Sequence, residues 1–308
     1  GMGRGPGNAA TEYLLIEMQN NYKRKSDILP LLKLIQKHFE PMKQKYKWGT
    51  NPYYYLAGKY GIHPTYIQEM LATHFNESEI IAAIEQLKHS GGRRYNVDLV
   101  RSEFQKPMKL AKGKWSPSKI IKNREVLLLA SGPKANDYKQ EIEKYIKSKK
   151  PFVIALNTSI NINKKFIDVY AACNPLKLIG DANLYKSLSS PLVVPKSLLS
   201  KNLRKKFKNL KLLDFAVGLK ENNFEFHKTG AVMPKLFTLV YALSIATSGK
   251  ASKILLAGFD GYGPKDRRTK IVDELMYLYS STKGAKSIIA VTPTSYSVAS
   301  SSIYALKL

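Results

Sequence analysis

Cysteine is nearly absent from this sequence, in which Cys173 is the only one among 308 residues. A single thiol excludes any disulfide within the chain, and scarce cysteine is typical of proteins that fold in a reducing compartment. The sequence also lacks an uninterrupted apolar run of about 18 residues, the length of a membrane span, and its start has no signal-peptide core. We therefore expect a cytoplasmic protein without a membrane span.

Acidic residues are scarce as well, with 23 Asp and Glu against 50 Lys and Arg and a formal net charge of +27. The basic residues are spread along the chain, and their densest run, residues 201–211, alternates them with Leu and Phe as a solvated helix face does. No zinc-finger, RNA-recognition or helix-turn-helix pattern accompanies them. We therefore expect nucleotides or phosphorylated sugars as partners rather than nucleic acid, with a non-catalytic polyanion-binding module as an alternative.

Glycine is concentrated at the start, with four glycines in the first seven residues, followed by Asn8 and Glu12. Glycine lets the backbone approach a ligand closely. The pattern G-N-x-x-x-E from Gly7 to Glu12 resembles the last loop of the metal-dependent aldolase and acyl-transferase barrels, a family with 4-hydroxy-2-oxovalerate aldolase, hydroxymethylglutaryl-CoA lyase and isopropylmalate synthase. Residues 48–58 and 62–66 resemble the small helical domain that follows the barrel in the oxovalerate aldolases.

This resemblance implies that Asn8 approaches a divalent metal, Mn²⁺ or Mg²⁺, and that one of Tyr53, Tyr54 and Tyr55 reaches a site for a 2-oxo acid such as pyruvate. The family's other metal ligands, an Asp-Arg-Glu sequence and a His-x-His pair, do not occur in this chain. One asparagine does not hold a metal, because hard cations need several oxygen or imidazole ligands. We therefore expect the C-terminal part of a bifunctional enzyme, with the aldolase barrel upstream and no competent aldolase in this chain alone.

The organisation of the chain changes near residue 124. Apolar residues at three- and four-residue spacing predict helices over residues 9–90, and a basic, weakly patterned stretch with glycine and proline predicts a linker over 91–123. From 124 to 308, short apolar runs typical of strands buried on both faces alternate with helical stretches. The predicted strands are 126–130, 152–156, 169–172, 192–194, 210–217, 254–257 and 288–291, and the helices are 137–148, 233–247 and 271–281. This alternation predicts an α/β domain with a doubly wound, mostly parallel, Rossmann-like sheet.

Polar groups follow several predicted strands, at the edge where such sheets bind ligands. Gly132 and Pro133 lie between the first strand and a helix, where backbone amides favour phosphate. Asn157 and Asn174 end the second and third strands and could read a base or a sugar, or cap helices. Asp260 ends the sixth strand, where a carboxylate could hold a ribose, bind Mg²⁺ or act as a base.

The stretch Ala130-Ser131-Gly132-Pro133-Lys134 resembles the strand-G-x-G-P-S opening of a Rossmann-like family that includes 6-hydroxymethylpterin diphosphokinase-like proteins and bacterial sialyltransferases. The first glycine and the serine of that pattern are replaced here. The resemblance implies a nucleotide, CMP or ATP, near Gly132, Pro133, Asn157, Asn174 and Asp260. His227 is a further candidate acid or base.

The two resemblances together predict a bifunctional enzyme, with aldol chemistry in the barrel and a nucleotide or nucleotide-sugar bound by the Rossmann-like domain. A glycosyl- or diphospho-transferase contained wholly in residues 124–308 is the alternative. Self-association into a homo-oligomer stays open.

Overall fold

The computed structural model describes residues 9–22, 27–46, 49, 51–72, 77–90, 107–158, 161–262 and 267–306. The chain divides into two compact units, Gly1–Asn96 and Val97–Leu308.

The first unit is helical where it is described. Its helices are α1 (Thr11–Tyr22), α2 (Leu29–Leu34), a π-helical turn (Ile35–Phe39), α3 (Glu40–Tyr46), α4 (Pro52–Tyr60), α5 (Pro64–Ala72) and α6 (Glu77–Ser90). Its buried core lies between α4, α5 and α6 and includes Tyr54, Ile67, Met70 and Ile84. The described residues of this unit contain no strand, so the predicted end of a barrel is not seen in them and stays a prediction.

The second unit is built on an eight-stranded sheet in which every strand pair is parallel. Its strands are β1 (Val126–Leu129), β2 (Phe152–Leu156), β3 (Val169–Ala171), β4 (Leu192–Val194), β5 (Leu212–Asp214), β9 (Ile254–Ala257), β10 (Ile288–Ala290) and β11 (Ala299–Ser300). Their order in space is β11-β10-β9-β1-β2-β3-β4-β5. The chain therefore runs from β1 outward in one direction and returns to the other side of β1, which confirms the predicted doubly wound, parallel sheet.

Both faces of the central strands of this sheet are covered, as their continuous apolar sequences predict. All four residues of β1 and all four of β9 are buried. Val126 and Leu128 belong to one core with the helix Thr238–Ser248, whose residues 238–247 are all buried, and with the inner face of the helix Arg267–Ser280. The remaining helices are Ser118–Ile121, Lys134–Asp137, Lys139–Lys149, Pro175–Gly180, Ala182–Tyr185 and Lys201–Lys206, with 3-10 turns at Lys164–Phe166, Lys196–Leu198 and Ile303–Ala305.

A second, three-stranded sheet is formed by the residues between β5 and the buried helix Thr238–Ser248 in sequence. It consists of β6 (Ala216–Leu219), β7 (Glu225–His227) and β8 (Gly230–Met233) in the order β6-β8-β7. The single strand predicted over 210–217 is wrong, because the chain leaves the large sheet at Phe215 and enters the small one. The helix predicted from residue 233 begins at Thr238, since Met233 ends β8.

The segment from residue 107 to 123, which is part of the predicted linker, packs on the second unit. Met108 forms an antiparallel bridge with Leu219, and the N–H groups of Lys114 and Trp115 both donate to the Asp214 carbonyl at 3.0 Å. The Trp115 ring meets Phe215 edge-on, with ring centroids 6.4 Å apart. These contacts cover the outer strands of both sheets.

Candidate functional site

The loops after β1 and β9 meet at the point where the strand order reverses. The Ala130 N–H donates to the Ala257 carbonyl at 2.9 Å, which extends the β1–β9 pairing by one residue. The Gly132 N–H then donates to the Gly258 carbonyl at 3.0 Å. Two loops more than a hundred positions apart in sequence are thus fixed together at the carboxyl edge of the sheet, where ligands of open α/β folds bind.

Glycine is required on both sides of this contact. A Cβ added to Gly132 would lie 2.4 Å from the Gly258 carbonyl oxygen and 2.6 Å from Asp260 Oδ1. Gly258 has a φ of +76°, and a Cβ there would lie 2.4 Å from the Ala130 carbonyl oxygen. Only glycine combines this left-handed backbone with so close an approach, so the two loops have no space for larger residues.

Asp260 joins the two loops through its side chain. Its Oδ2 accepts the Lys134 N–H at 2.7 Å, at the start of the short helix Lys134–Asp137. Its backbone carbonyl accepts the Ser295 N–H at 3.0 Å, from the loop after β10. Asp260 Oδ1 is buried and has no hydrogen-bond partner within the described part of the chain. Asp260 therefore connects the loops of three adjacent strands, through its carboxylate to the loop after β1 and through its backbone carbonyl to the loop after β10.

The backbone amides expected to hold phosphate after β1 donate within the protein. The N–H of Gly132 donates to Gly258, that of Lys134 to Asp260, and that of Ala135 to the Gly132 carbonyl at 3.0 Å. Pro133 has no N–H to offer. In this conformation Asp260 already occupies the anion position at the helix start, so the loop is not an open phosphate cradle of the kind that the sequence favoured.

Lys134 places a positive charge beside this edge. Its ammonium donates to Asp137 Oδ2 at 2.9 Å. This hydrogen bond and the charge of Asp137, with a smaller contribution from Asp260, raise the pKa of Lys134 above its usual value. The side chain is therefore positively charged at neutral pH.

Asn157 follows β2, the strand next to β1, and has a left-handed backbone with a φ of +58°. Asparagine tolerates this conformation better than most residues. Its N–H donates to the Ala171 carbonyl at 3.0 Å, and its Oδ1 accepts the Thr238 hydroxyl at 3.2 Å. The half-buried side chain thus has a fixed orientation, and its Nδ2 donates to no described residue. The next hydroxyl, Thr158 Oγ1, is buried and likewise has no partner in the described ranges.

Asn174 follows β3 and caps a helix. Its Oδ1 accepts the N–H groups of Leu176 at 3.0 Å and Lys177 at 3.1 Å, at the start of the helix Pro175–Gly180. The residue is 1% exposed. Of the two roles that the sequence left open for this asparagine, the structure shows the helix cap.

His227 lies away from the carboxyl edge of the large sheet. It ends β7 in the three-stranded sheet, is exposed, and its Nε2 lies 3.4 Å from Glu225 Oε2. The structure therefore does not bring His227 together with Gly132, Asn157 and Asp260 through any described contact.

The tyrosine candidates lie in the first unit, on α4. Asn51 caps this helix by accepting the Tyr54 N–H at 2.9 Å. Tyr54 is 2% exposed, Tyr55 is 58% exposed, and Tyr53 is half-buried. Adjacent residues of a helix point in different directions, so no more than one of them faces any single site. Asn8 lies outside the described residues.

Two hydroxyls complete this edge. Thr238 orients Asn157, and Thr292 Oγ1 accepts the Gly258 N–H at 2.9 Å. Thr238 was missed because it lies inside a predicted helix. The hydroxyl-rich stretch that begins at Thr292 follows a predicted strand, and from the sequence it is either part of a sugar site or, preferably, a polar turn. Within the described residues, no group of three or more His, Cys, Asp and Glu side chains is arranged to hold a metal ion. None of the described helices combines the length and the apolar character that crossing a membrane requires.

No protein-family model matches the chain, and no curated protein matches it. Among solved structures, the chain is similar to the MAf glycosyltransferase from Magnetospirillum magneticum AMB-1, with a TM-score of 0.42 and 10% sequence identity. The match covers 76% of this chain and 43% of that protein, so the chain spans less than half of its length. The assignment of a doubly wound α/β fold rests on the strand order described above.

Proposed function

We propose that the second unit is a transferase that binds a nucleotide-sugar at the carboxyl edge of the large sheet, over β1, β2 and β9, and transfers its glycosyl group to an acceptor hydroxyl. The observation that carries this proposal is the meeting of Gly132 and Asp260 at the reversal of strand order, with the oriented amide of Asn157 on the adjacent strand. Doubly wound sheets bind nucleotides at this point.

The donors at this edge favour recognition of a nucleoside over cradling of a triphosphate. The amides of Gly132 and Lys134 donate within the protein. The Asn157 Nδ2 group faces no described acceptor, and an amide of fixed orientation can recognise a base carbonyl or a ribose hydroxyl. A diphosphoryl transferase needs many donors around its phosphates, whereas a glycosyl transferase releases a nucleoside phosphate that one cation can stabilise. We therefore favour glycosyl over diphosphoryl transfer.

Each residue has a definite part in this proposal. Gly132 and Pro133 form the close-packed loop on which the nucleotide lies. Asn157 contacts the nucleoside, and the charged Lys134 attracts the phosphate. Asp260 is a positioning residue, because its Oδ2 holds the start of the helix after β1. His227 has no part in it. Aldol chemistry on a 2-oxo acid has no support from the described residues and is not included.

Isothermal titration calorimetry of the full chain against CMP, CDP, UMP, UDP, GDP, ADP and ATP tests the proposal. We expect at least one nucleoside mono- or diphosphate to bind more tightly than ATP. Asn157→Asp keeps the Oδ acceptor for Thr238 but replaces the amide donor by a carboxylate oxygen. Loss of one hydrogen bond and added repulsion of the phosphate should weaken binding by about 1.5–3 kcal/mol, roughly 10- to 150-fold.

Asn222→Asp is the matched control. Asn222 also has a left-handed backbone, with a φ of +52°, and lies exposed between β6 and β7. We expect it to leave nucleotide binding unchanged. Equal losses in both variants, or tightest binding of ATP, would contradict the nucleotide-sugar assignment. Release of a nucleoside phosphate from a bound nucleotide-sugar in the presence of acceptor, detected by ³¹P NMR, then tests the transfer step itself.

A further inference from the structure

The crossovers on either side of β4 carry a strongly one-sided charge. Residues 182–213 contain eight Lys and Arg and no Asp or Glu. The helix Lys201–Lys206 buries Leu203, and Phe207 directly after it is also buried. Its outward side therefore consists of basic residues, and the exposed ones on this helix and just after it are Lys201, Arg204, Lys205, Lys208 and Lys211. We call these five side chains the basic crossover surface.

The charges of this surface are available to a partner. In the ranges that the structure describes, no carboxylate forms an ion pair with Lys201, Lys205, Lys208 or Lys211. Arg204 is held in place by its guanidinium, which donates to the carbonyls of Leu199 and Lys196, both at 3.0 Å. These two bonds tie the helix to the preceding 3-10 turn, so the surface is a structured part of the fold.

An exposed leucine lies on a helix that packs next to the basic helix. Tyr185 and Phe207 pack edge-on with ring centroids 5.8 Å apart, which places the helix Ala182–Tyr185 beside the basic helix. Leu184 on that helix is 54% exposed, more than the other exposed large aliphatic side chain of this unit's described residues, Ile120 at 41%. Lys186, exposed as well, follows directly. Basic side chains around an exposed aliphatic residue are the composition that binds membrane interfaces.

We propose that the basic crossover surface docks this protein on an anionic phospholipid bilayer, with Leu184 inserted among the headgroups. Lysines close to an anionic membrane are attracted to its negative surface potential. Single-stranded nucleic acid fits this surface less well, because it binds by stacking bases on exposed aromatic rings. The aromatic rings here, Tyr185 and Phe207, are fully buried. This inference is independent of the nucleotide site.

Vesicle co-sedimentation of the full chain tests the proposal. We expect binding to vesicles of phosphatidylcholine with about one third phosphatidylglycerol, weaker at about 0.5 M than at about 0.1 M NaCl, and none to phosphatidylcholine alone. A variant with Lys201, Lys205 and Lys208 replaced by Gln should lower the partition coefficient roughly 100-fold, at about fivefold per lysine. All three side chains are exposed, so urea unfolding should stay at the wild-type midpoint.

The matched control replaces Lys139, Lys144 and Lys283 by Gln, which removes three exposed charges elsewhere in the unit. We expect near wild-type vesicle binding from this variant. Leu184→Ser should weaken binding at high salt about threefold, an effect that electrostatics alone does not produce. The proposal is overturned by absent vesicle binding, by equal losses in the two lysine variants, by unchanged binding of Leu184→Ser, or by tighter binding to an oligonucleotide duplex at the same salt.

Discussion

Replacing Gly132 by alanine tests how closely the loops after β1 and β9 are joined. The new methyl group would lie 2.4 Å from the Gly258 carbonyl oxygen and 2.6 Å from Asp260 Oδ1. Real Cβ atoms do not approach this closely, so a loop must move. Overpacking of this kind costs about 1–3 kcal/mol, and displacing the Asp260 carboxylate also weakens its bond to Lys134. We expect the free energy of unfolding of the second unit to fall by about 2–4 kcal/mol.

Urea unfolding followed by tryptophan fluorescence measures this change in the correct unit. The chain has two tryptophans, and in a Trp48→Phe background Trp115, which packs on Phe215 in the second unit, is the only reporter. Asp260→Ala removes one of the two close contacts, so Gly132→Ala should cost about 1 kcal/mol less in that background than alone. A cost below about 1 kcal/mol for Gly132→Ala alone, or no coupling to Asp260, would show that the loops after β1 and β9 are not closely packed at Gly132.

Two further predictions concern the stability of this unit. Burial raises the pKa of Glu125, but hydrogen bonds from Lys253, at 2.6 Å, and from Tyr145 lower the pKa by more, so it lies below the usual value. The ionised Glu125 side chain therefore stabilises the folded state. Its contribution is complete above the unfolded pKa of about 4.3 and is lost as pH falls through the folded pKa. Glu125→Gln should therefore cost stability at about pH 6 and little at about pH 3, and an equal cost at both pH values would contradict this. The buried Tyr241 hydroxyl donates to the Phe215 carbonyl at 2.7 Å, so Tyr241→Phe should cost about 1–2 kcal/mol in urea unfolding. Tyr277→Phe, at a side chain that is 77% exposed, is its control and should cost less than about 0.5 kcal/mol.

The large sheet was predictable because its strands are buried on both faces. Runs such as Val126–Leu129 and Phe152–Leu156 are continuously apolar, and that signal arises directly from burial. One strand of the small sheet lacks this signal, although β6 and β8 are apolar and buried. The strand Glu225–His227 is short and its outer residues are exposed, so its sequence does not differ from that of a loop. The apolar residues after Leu210 predict that this segment is buried, but they do not predict in which sheet it lies. The change of sheet at Phe215 was therefore missed.

The position of the site was predictable in the same way, and its hydrogen bonding was not. Gly132, Asn157 and Asp260 each follow a predicted strand, and parallel strands bring their carboxyl ends to one edge. The partner of each polar group depends on contacts between residues far apart in sequence. The Lys134–Asp260 bond, which closes the expected phosphate position, spans 126 residues. The Asn157–Thr238 bond spans 81, and no local pattern shows either of them.

Hydrogen–deuterium exchange, followed by mass spectrometry with and without the tightest-binding nucleotide, tests whether the nucleotide binds at the carboxyl edge of the large sheet. We expect slower exchange in peptides that contain Ser131, Thr158 or Gly261, at the carboxyl edge over β1, β2 and β9. We expect unchanged exchange in peptides from β7 and β8, which include His227. Protection confined to the three-stranded sheet, or to the helices of the first unit, would place the nucleotide elsewhere and contradict the proposed site.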